Sequence, residues 1–202
     1  MTYNPPKHHR RSIRLKGYDY SQAGLYFITI CCQDRICRFG HIETGKMYLN
    51  ELGLVAYNEW AKLPQRFPSF ELDVFQIMPN HIHGIIVLNE FPVGAGFTPA
   101  QNNHVTPAQN NHVTPAQNAM ENMAIHIRAT ARVVPTVSDI VGAYKSLVAN
   151  GCLKLFKKNN DTMGKLWQRN YHEHIIRNEQ SYMNISNYII TNPANWDNDS
   201  LK

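Results

Sequence analysis

Two histidines one residue apart, His81 and His83 in the run PNHIHGIIVL, are the sharpest chemical feature of this 202-residue chain. On a strand, residues i and i+2 share a face. The two imidazoles therefore stand side by side, at a spacing that can chelate one divalent cation, while Ile82 points the other way. The wholly apolar run that follows anchors the pair on a strand, a more rigid support for a metal than a loop. Two half-exposed sheet histidines would show the same spacing. Towards the C-terminus, Tyr188 and Asn192 are four apart and share one face of a predicted helix. A phenol is a poor nucleophile at its usual pKa of about 10. A nearby cation that polarises the electrophile makes attack feasible, and a phosphodiester is the natural electrophile. Asn192 can offer a carbonyl oxygen to the same cation. A tyrosine that merely packs, above an Asn that stops the helix, also fits this spacing. Tyr182 is the fallback nucleophile, and His174 is the main rival for a third metal ligand.

A third feature is basic residues interleaved with aromatics. The stretch 7–16 carries Arg10, Arg11, Arg14 and Lys16 and is followed by Tyr18 and Tyr20. Cationic side chains gain affinity for phosphates by counterion release, and rings stack on unpaired bases. Lys145 and Arg169 add to this expected nucleic-acid surface. Lysine and arginine number 20 against 15 acidic residues, a formal charge of +5 that suits a polyanionic partner.

The elements that must position these groups follow from periodicity. Residues 25–32 (LYFITICC) read as a buried strand, and 38–50 as a hairpin around Thr44-Gly45. Residues 51–65 have helical spacing stopped by Pro64, 70–78 alternate as a strand, and 81–88 form the next strand. Thr136 or Ser138 can cap a helix carrying Ile140, Val141, Tyr144, Leu147, Val148 and Cys152. Residues 166–176 read as a strand and 180–191 as a helix stopped by Asn192-Pro193. This order suggests an α+β sandwich, an antiparallel sheet with helices on one face.

Between the two blocks TPAQNNHV occurs twice, from Thr98 and from Thr106, and begins again at Thr114. The repeat is polar and punctuated by proline. It cannot bury enough surface to offset its ordering entropy, so 92–135 is expected to be a flexible insert. His104 and His112 sit in this duplicated context and read as linker rather than ligands. Residues 1–24 are expected to be a basic arm, 25–197 a single interrupted domain, and 198–202 a tail. No apolar run approaches the about 20 residues of a membrane-spanning helix, and no secretory signal is visible. Cys31, Cys32, Cys37 and Cys152 include no CxxC pair and read as reduced thiols, so a cytoplasmic setting is expected.

Taken in order, RSIRLKGYDYSQAGLYFITICCQDR, FGHIETG, LDVFQIMPNHIHGIIVL, SDIVGAYKSLV and LWQRNYHEHIIRNEQSYMNISNYIITNP resemble the REP-associated tyrosine transposases. These are a branch of the single-tyrosine HUH transposases. The match spans roughly 10–90 and 136–196, and MPNHIHGI together with YIxxNP is specific to it. The resemblance implies a ferredoxin-like (RRM-like) sheet and cutting and rejoining of single-stranded DNA near hairpins. It makes His81 and His83 metal ligands, Asn192 the third ligand and Tyr188 the nucleophile. The cofactor would be Mg²⁺ or Mn²⁺, the product a 5′-phosphotyrosine, and the protein a nucleoid-associated monomer or homodimer. Asn192 stands where the wider branch commonly has Gln, one methylene longer. A catalytically inactive hairpin-binding protein on the same fold is the alternative; a His-rich metallohydrolase acting on small phosphates is a third reading.

Overall fold

The chain starts its sheet where β-branched and aromatic residues concentrate. β1 (Gly24–Cys31) sends Tyr26, Ile28 and Ile30 to one face, where all three are fully buried, and Leu25, Phe27, Thr29 and Cys31 to the other. The fold is known as a computed structural model that describes residues 17–89 and 135–202. These fall in the unit formed by 1–90 and 135–202. Arg10, Arg11, Arg14 and Lys16, and the repeat insert with His104 and His112, lie outside the described residues.

β2 (Gly40–Glu43) and β3 (Lys46–Leu49) form a separate hairpin. Its turn is closed by Thr44 and Gly45, both at positive φ (48° and 72°), the conformation a two-residue turn demands. Asn50 caps α1 (Glu51–Ala61), its side chain accepting from the Gly53 amide at 2.9 Å. The helical pattern expected over 51–65 divides here. Pro64 lacks the N–H that would continue the ladder, and a separate turn of helix, α2 (Leu63–Arg66), follows. β4 (Phe70–Ile77) and β5 (His81–Leu88) form the next hairpin. A capping box between Thr136 and Asp139 opens α3 (Val137–Lys158), β6 (His172–Ile176) closes the sheet, and α4 (Glu179–Thr191) ends in a 3₁₀ segment, Asn192–Asn198.

The four-stranded sheet has the order β4-β5-β1-β6, every pair antiparallel. With α1 between the first two sheet strands and α3 between the last two, this is the ferredoxin-like arrangement, α+β as expected. α1 and α3 cover one face. Trp60 meets Tyr144 edge-on at 5.1 Å, and the Tyr144 hydroxyl donates to the Ala56 carbonyl at 2.9 Å. Gly84 makes this approach possible, since a Cβ there would lie 2.5 Å from the Trp60 ring.

Two expectations are corrected. Helices occupy both faces, not one: α4 lays Ile185 and Ile189 on the opposite side, over Ile85, Ile176 and Phe27. β5 demands this, because its residues are buried on both sides. The strand expected over 166–176 is shorter. Leu166 and Trp167 are instead buried anchors, Trp167 making a single bridge to Cys32 and donating its Nε1–H to the Lys145 carbonyl. All four cysteines are unpaired, and among the described residues no helix is long and apolar enough to cross a membrane.

Candidate active site

His81 opens β5, and register with β1 sets both histidines beside polar or small neighbours: Cys31 pairs with His81 and Thr29 with His83. Period two puts the two rings on the α4 face, as the spacing predicts. Each ring is oriented through Nδ1. The Asn80 amide Nδ2 donates to the Arg35 and Leu201 carbonyls at 3.2 and 2.8 Å, which leaves its Oδ1 facing His81 Nδ1 at 2.7 Å. His81 therefore carries its proton on Nδ1 and presents a bare lone pair at Nε2. His83 Nδ1 lies 2.8 Å from Thr29 Oγ1.

The two Nε2 atoms converge, 3.0 Å apart. Burial pushes His81 down to about 4, with the Arg35 guanidinium adding to the effect. Burial, then neighbouring His81, pushes His83 down to about 3, against the pull of Asp199. Both rings are neutral at neutral pH.

α4 delivers the phenol. Its apolar stripe, Tyr182, Ile185 and Ile189, packs on the sheet and leaves Tyr188 at the edge, 43% exposed. The Tyr188 hydroxyl lies 3.2 Å from His83 Nε2, and its ring stands edge-on to Phe27 at 6.2 Å. Burial and then the Asp199 carboxylate raise the Tyr188 pKa, while a hydrogen bond from the Asn192 side chain lowers it.

Asn192, one residue past α4, is buried beside this hydroxyl, and its Oδ1 accepts no hydrogen bond among the described residues. The 3₁₀ segment then carries Trp196 to within 6.1 Å of the His81 ring. Asp199 follows it, a residue that fell in the expected tail 198–202 and that no sequence pattern marked. Asp199 Oδ2 lies 3.6 Å from His81 Nε2 with its side chain 2% exposed, and it too accepts no hydrogen bond. The ligand atoms of His81, His83 and Asp199 lie within 4.8 Å of one another. Asp199 Oδ1 accepts from the Leu201 amide at 2.8 Å, so Oδ2 alone is left without a partner, and this oxygen with the two imidazole nitrogens fits a divalent cation.

The other expected site residues lie elsewhere. The Lys145 ammonium donates to the Gln168 and Arg169 carbonyls at 2.8 and 3.1 Å, which commits it to the fold rather than to an open surface. Arg169 is exposed. His174 pairs with Phe27 on the edge strand, two residues along from the row of His83, and is exposed there. The Tyr182 hydroxyl donates to the Asp73 carboxylate at 3.1 Å, at the bulge in β4.

No protein-family model matches the chain. An uncharacterized protein of Haemophilus influenzae is 39% identical over 199 residues, 98% of this chain and 96% of that one. A second protein of the same organism, named as a REP-associated tyrosine transposase, is 25% identical over 87% of this chain and 73% of its own length. Among solved structures, a REP-associated tyrosine transposase bound to a REP hairpin shares the fold, with a TM-score of 0.53 and 16% identity over 91% of this chain and 74% of that one. These findings make the chain similar to a REP-associated tyrosine transposase, in sequence at 25% identity and in fold to the solved structure.

Proposed function

We propose that this chain is a metal-dependent single-stranded DNA endonuclease and strand transferase, acting at hairpin-associated sites through Tyr188. The observation that carries this reading is the convergence of the Tyr188 hydroxyl, 3.2 Å from His83 Nε2, on the same point as the His81 nitrogen and the Asp199 oxygen. Hairpin DNA as partner is supported by the relatives: one is named for REP-associated transposition, and the solved neighbour was bound to a REP hairpin.

His81 Nε2, His83 Nε2 and Asp199 Oδ2 would hold the ion, Mg²⁺ or Mn²⁺, with Asn192 Oδ1 as the further oxygen. Once bound, it supplies a Lewis acid for a non-bridging phosphate oxygen. Asn80 and Thr29 hold the imidazoles in orientation from behind. Tyr188 Oη attacks phosphorus and the bond to the 3′ oxygen breaks, leaving a 5′-phosphotyrosine and a free 3′-hydroxyl. Its half-exposed position lets the phenolic proton leave to water, and the Asn192 hydrogen bond favours the phenolate. The covalent link conserves the phosphodiester energy, so a second strand end reverses the step without ATP. With one tyrosine, two ends require sequential use or two subunits. In this reading 25–197 is the catalytic domain, interrupted by 92–135; of the expected arm 1–24, Tyr18 and Tyr20 pack against the core, and the basic residues before them would bind DNA. The last residues, 198–202, contribute Asp199 to the site.

The test is an oligonucleotide-cleavage gel with Mn²⁺, using short palindromes from the DNA flanking the gene. Wild type forms a covalent protein–DNA adduct; Tyr188→Phe forms none and still binds the hairpin. An adduct that survives in Tyr188→Phe refutes the nucleophile. Hairpin binding by wild type with no cleavage instead supports the catalytically inactive alternative.

A further inference from the structure

β1 ends at Cys31, opposite His81, and the chain then makes a turn that its residues do not favour. Asp34 and Arg35 both sit at φ 54°, in the left-handed region, and neither is glycine. Consecutive left-handed residues of this kind persist only where the surroundings hold them, and such strain clusters at functional sites. Here three contacts hold it. The Arg35 amide donates to the Cys32 carbonyl at 3.2 Å, its carbonyl accepts from Asn80 Nδ2 at 3.2 Å, and its Nη1 donates to the Ser200 carbonyl at 2.9 Å. Asn80 is the amide that also orients His81. One buried side chain thus couples the Arg35 backbone directly to the imidazole.

The turn places a guanidinium against the Ser200 carbonyl, one residue from Asp199. Among the described residues Arg35 forms no ion pair, and it is exposed. Only one of its five N–H donors is seen in a hydrogen bond, that to Ser200. An exposed guanidinium with free donors at the rim of a site that would hold a cation can be joined to it by an anion. A phosphate is the anion that suits a planar fork.

We propose that Arg35 is a phosphate-positioning residue, its free guanidinium N–H groups gripping the non-bridging oxygens of the scissile phosphate while Tyr188 attacks. This rests on the proposed function and adds a substrate contact that the histidine and tyrosine motifs do not contain. It also separates two roles for Arg35, because anchoring the Ser200 carbonyl would not depend on the charge of the DNA.

The experiment is a binding cycle in the uncleaving Tyr188→Phe background. The probe is the oligonucleotide whose cleavage point the adduct gel maps, made with either a natural phosphate or a neutral methylphosphonate at that point. Arg35→Asn removes the charge while keeping a residue that tolerates left-handed φ. It should bind the natural oligonucleotide about tenfold more weakly, and the methylphosphonate equally well within about twofold. Arg35→Lys, which keeps the charge and loses the fork, should fall between and serves as the test if the Asn variant fails to fold. Equal losses on both oligonucleotides would overturn the proposal and leave Arg35 an anchor for the C-terminal residues. A wild-type adduct with no Arg35 effect sinks this inference alone, whereas absence of any wild-type adduct sinks the proposed function with it.

Discussion

The two faces of one sheet have been put to opposite uses. On the α1/α3 side, Tyr26, Ile28 and Ile30 meet Trp60, Tyr144 and Ile140, and the core is dry. On the α4 side the same strands divide along their length. Ile85, Ile176 and Ile189 form a small apolar cluster, and the other end holds Thr29, His81 and His83 with Asp199 folded over them. β5 belongs to both, with Ile82 and Ile86 facing the dry core and His81 and His83 the polar site. The dry face fixes where the strand lies, and that in turn fixes where the imidazoles point. An apolar face and a polar one are thus segregated by the parity of residue number along a strand.

If the segregation holds, the largest effect belongs to the dry face. Trp60→Ala removes a fully packed ring and should cost about 3–5 kcal/mol of stability. Chemical denaturation measures it, and the surviving folded protein should bind Mn²⁺ normally; weakened metal affinity at full folding would break the comparison. On the wet face the pattern reverses. Asp199→Asn removes a buried carboxylate oxygen that has no hydrogen-bond partner. Its thermal midpoint should not fall, and calorimetry should show Mn²⁺ affinity down by about a hundredfold, as for loss of an important group at a metal site. The smallest change sharpens the point. Thr29→Val keeps shape and loses the oxygen 2.8 Å from His83 Nδ1. Mn²⁺ affinity should drop about tenfold, with little change in stability.

Much of this arrangement was legible in the residues, and what was not has physical reasons. The run HIHGIIVL identified β5 because its apolar residues and its paired imidazoles obey the same period of two. Tyr188 and Asn192 could be paired because helical spacing puts i and i+4 together, and the stripe of Tyr182, Ile185 and Ile189 said which side was buried. Asp199 left no such trace. It follows a 3₁₀ segment of mixed polar residues with no period, and only the tertiary fold shows that the chain returns over His81. Asn80 read as a turn residue, yet its amide makes three hydrogen bonds that orient His81 and tie down Arg35 and Leu201. Lys145 read as a surface cation because charge in a sequence says nothing of which carbonyls will surround it. Side-chain patterns reveal elements and same-face neighbours; contacts made by irregular segments have to be seen.

The central claim is that the phenol of Tyr188 attacks DNA phosphorus at the imidazole pair. Peptide mapping by mass spectrometry of protein trapped on a flanking-palindrome oligonucleotide tests it most directly. With Mn²⁺ the account predicts a nucleotide phosphate mass on the peptide carrying Tyr188, and none after chelation with EDTA. The same mass on Tyr182, or an adduct that forms equally well in EDTA, would contradict it.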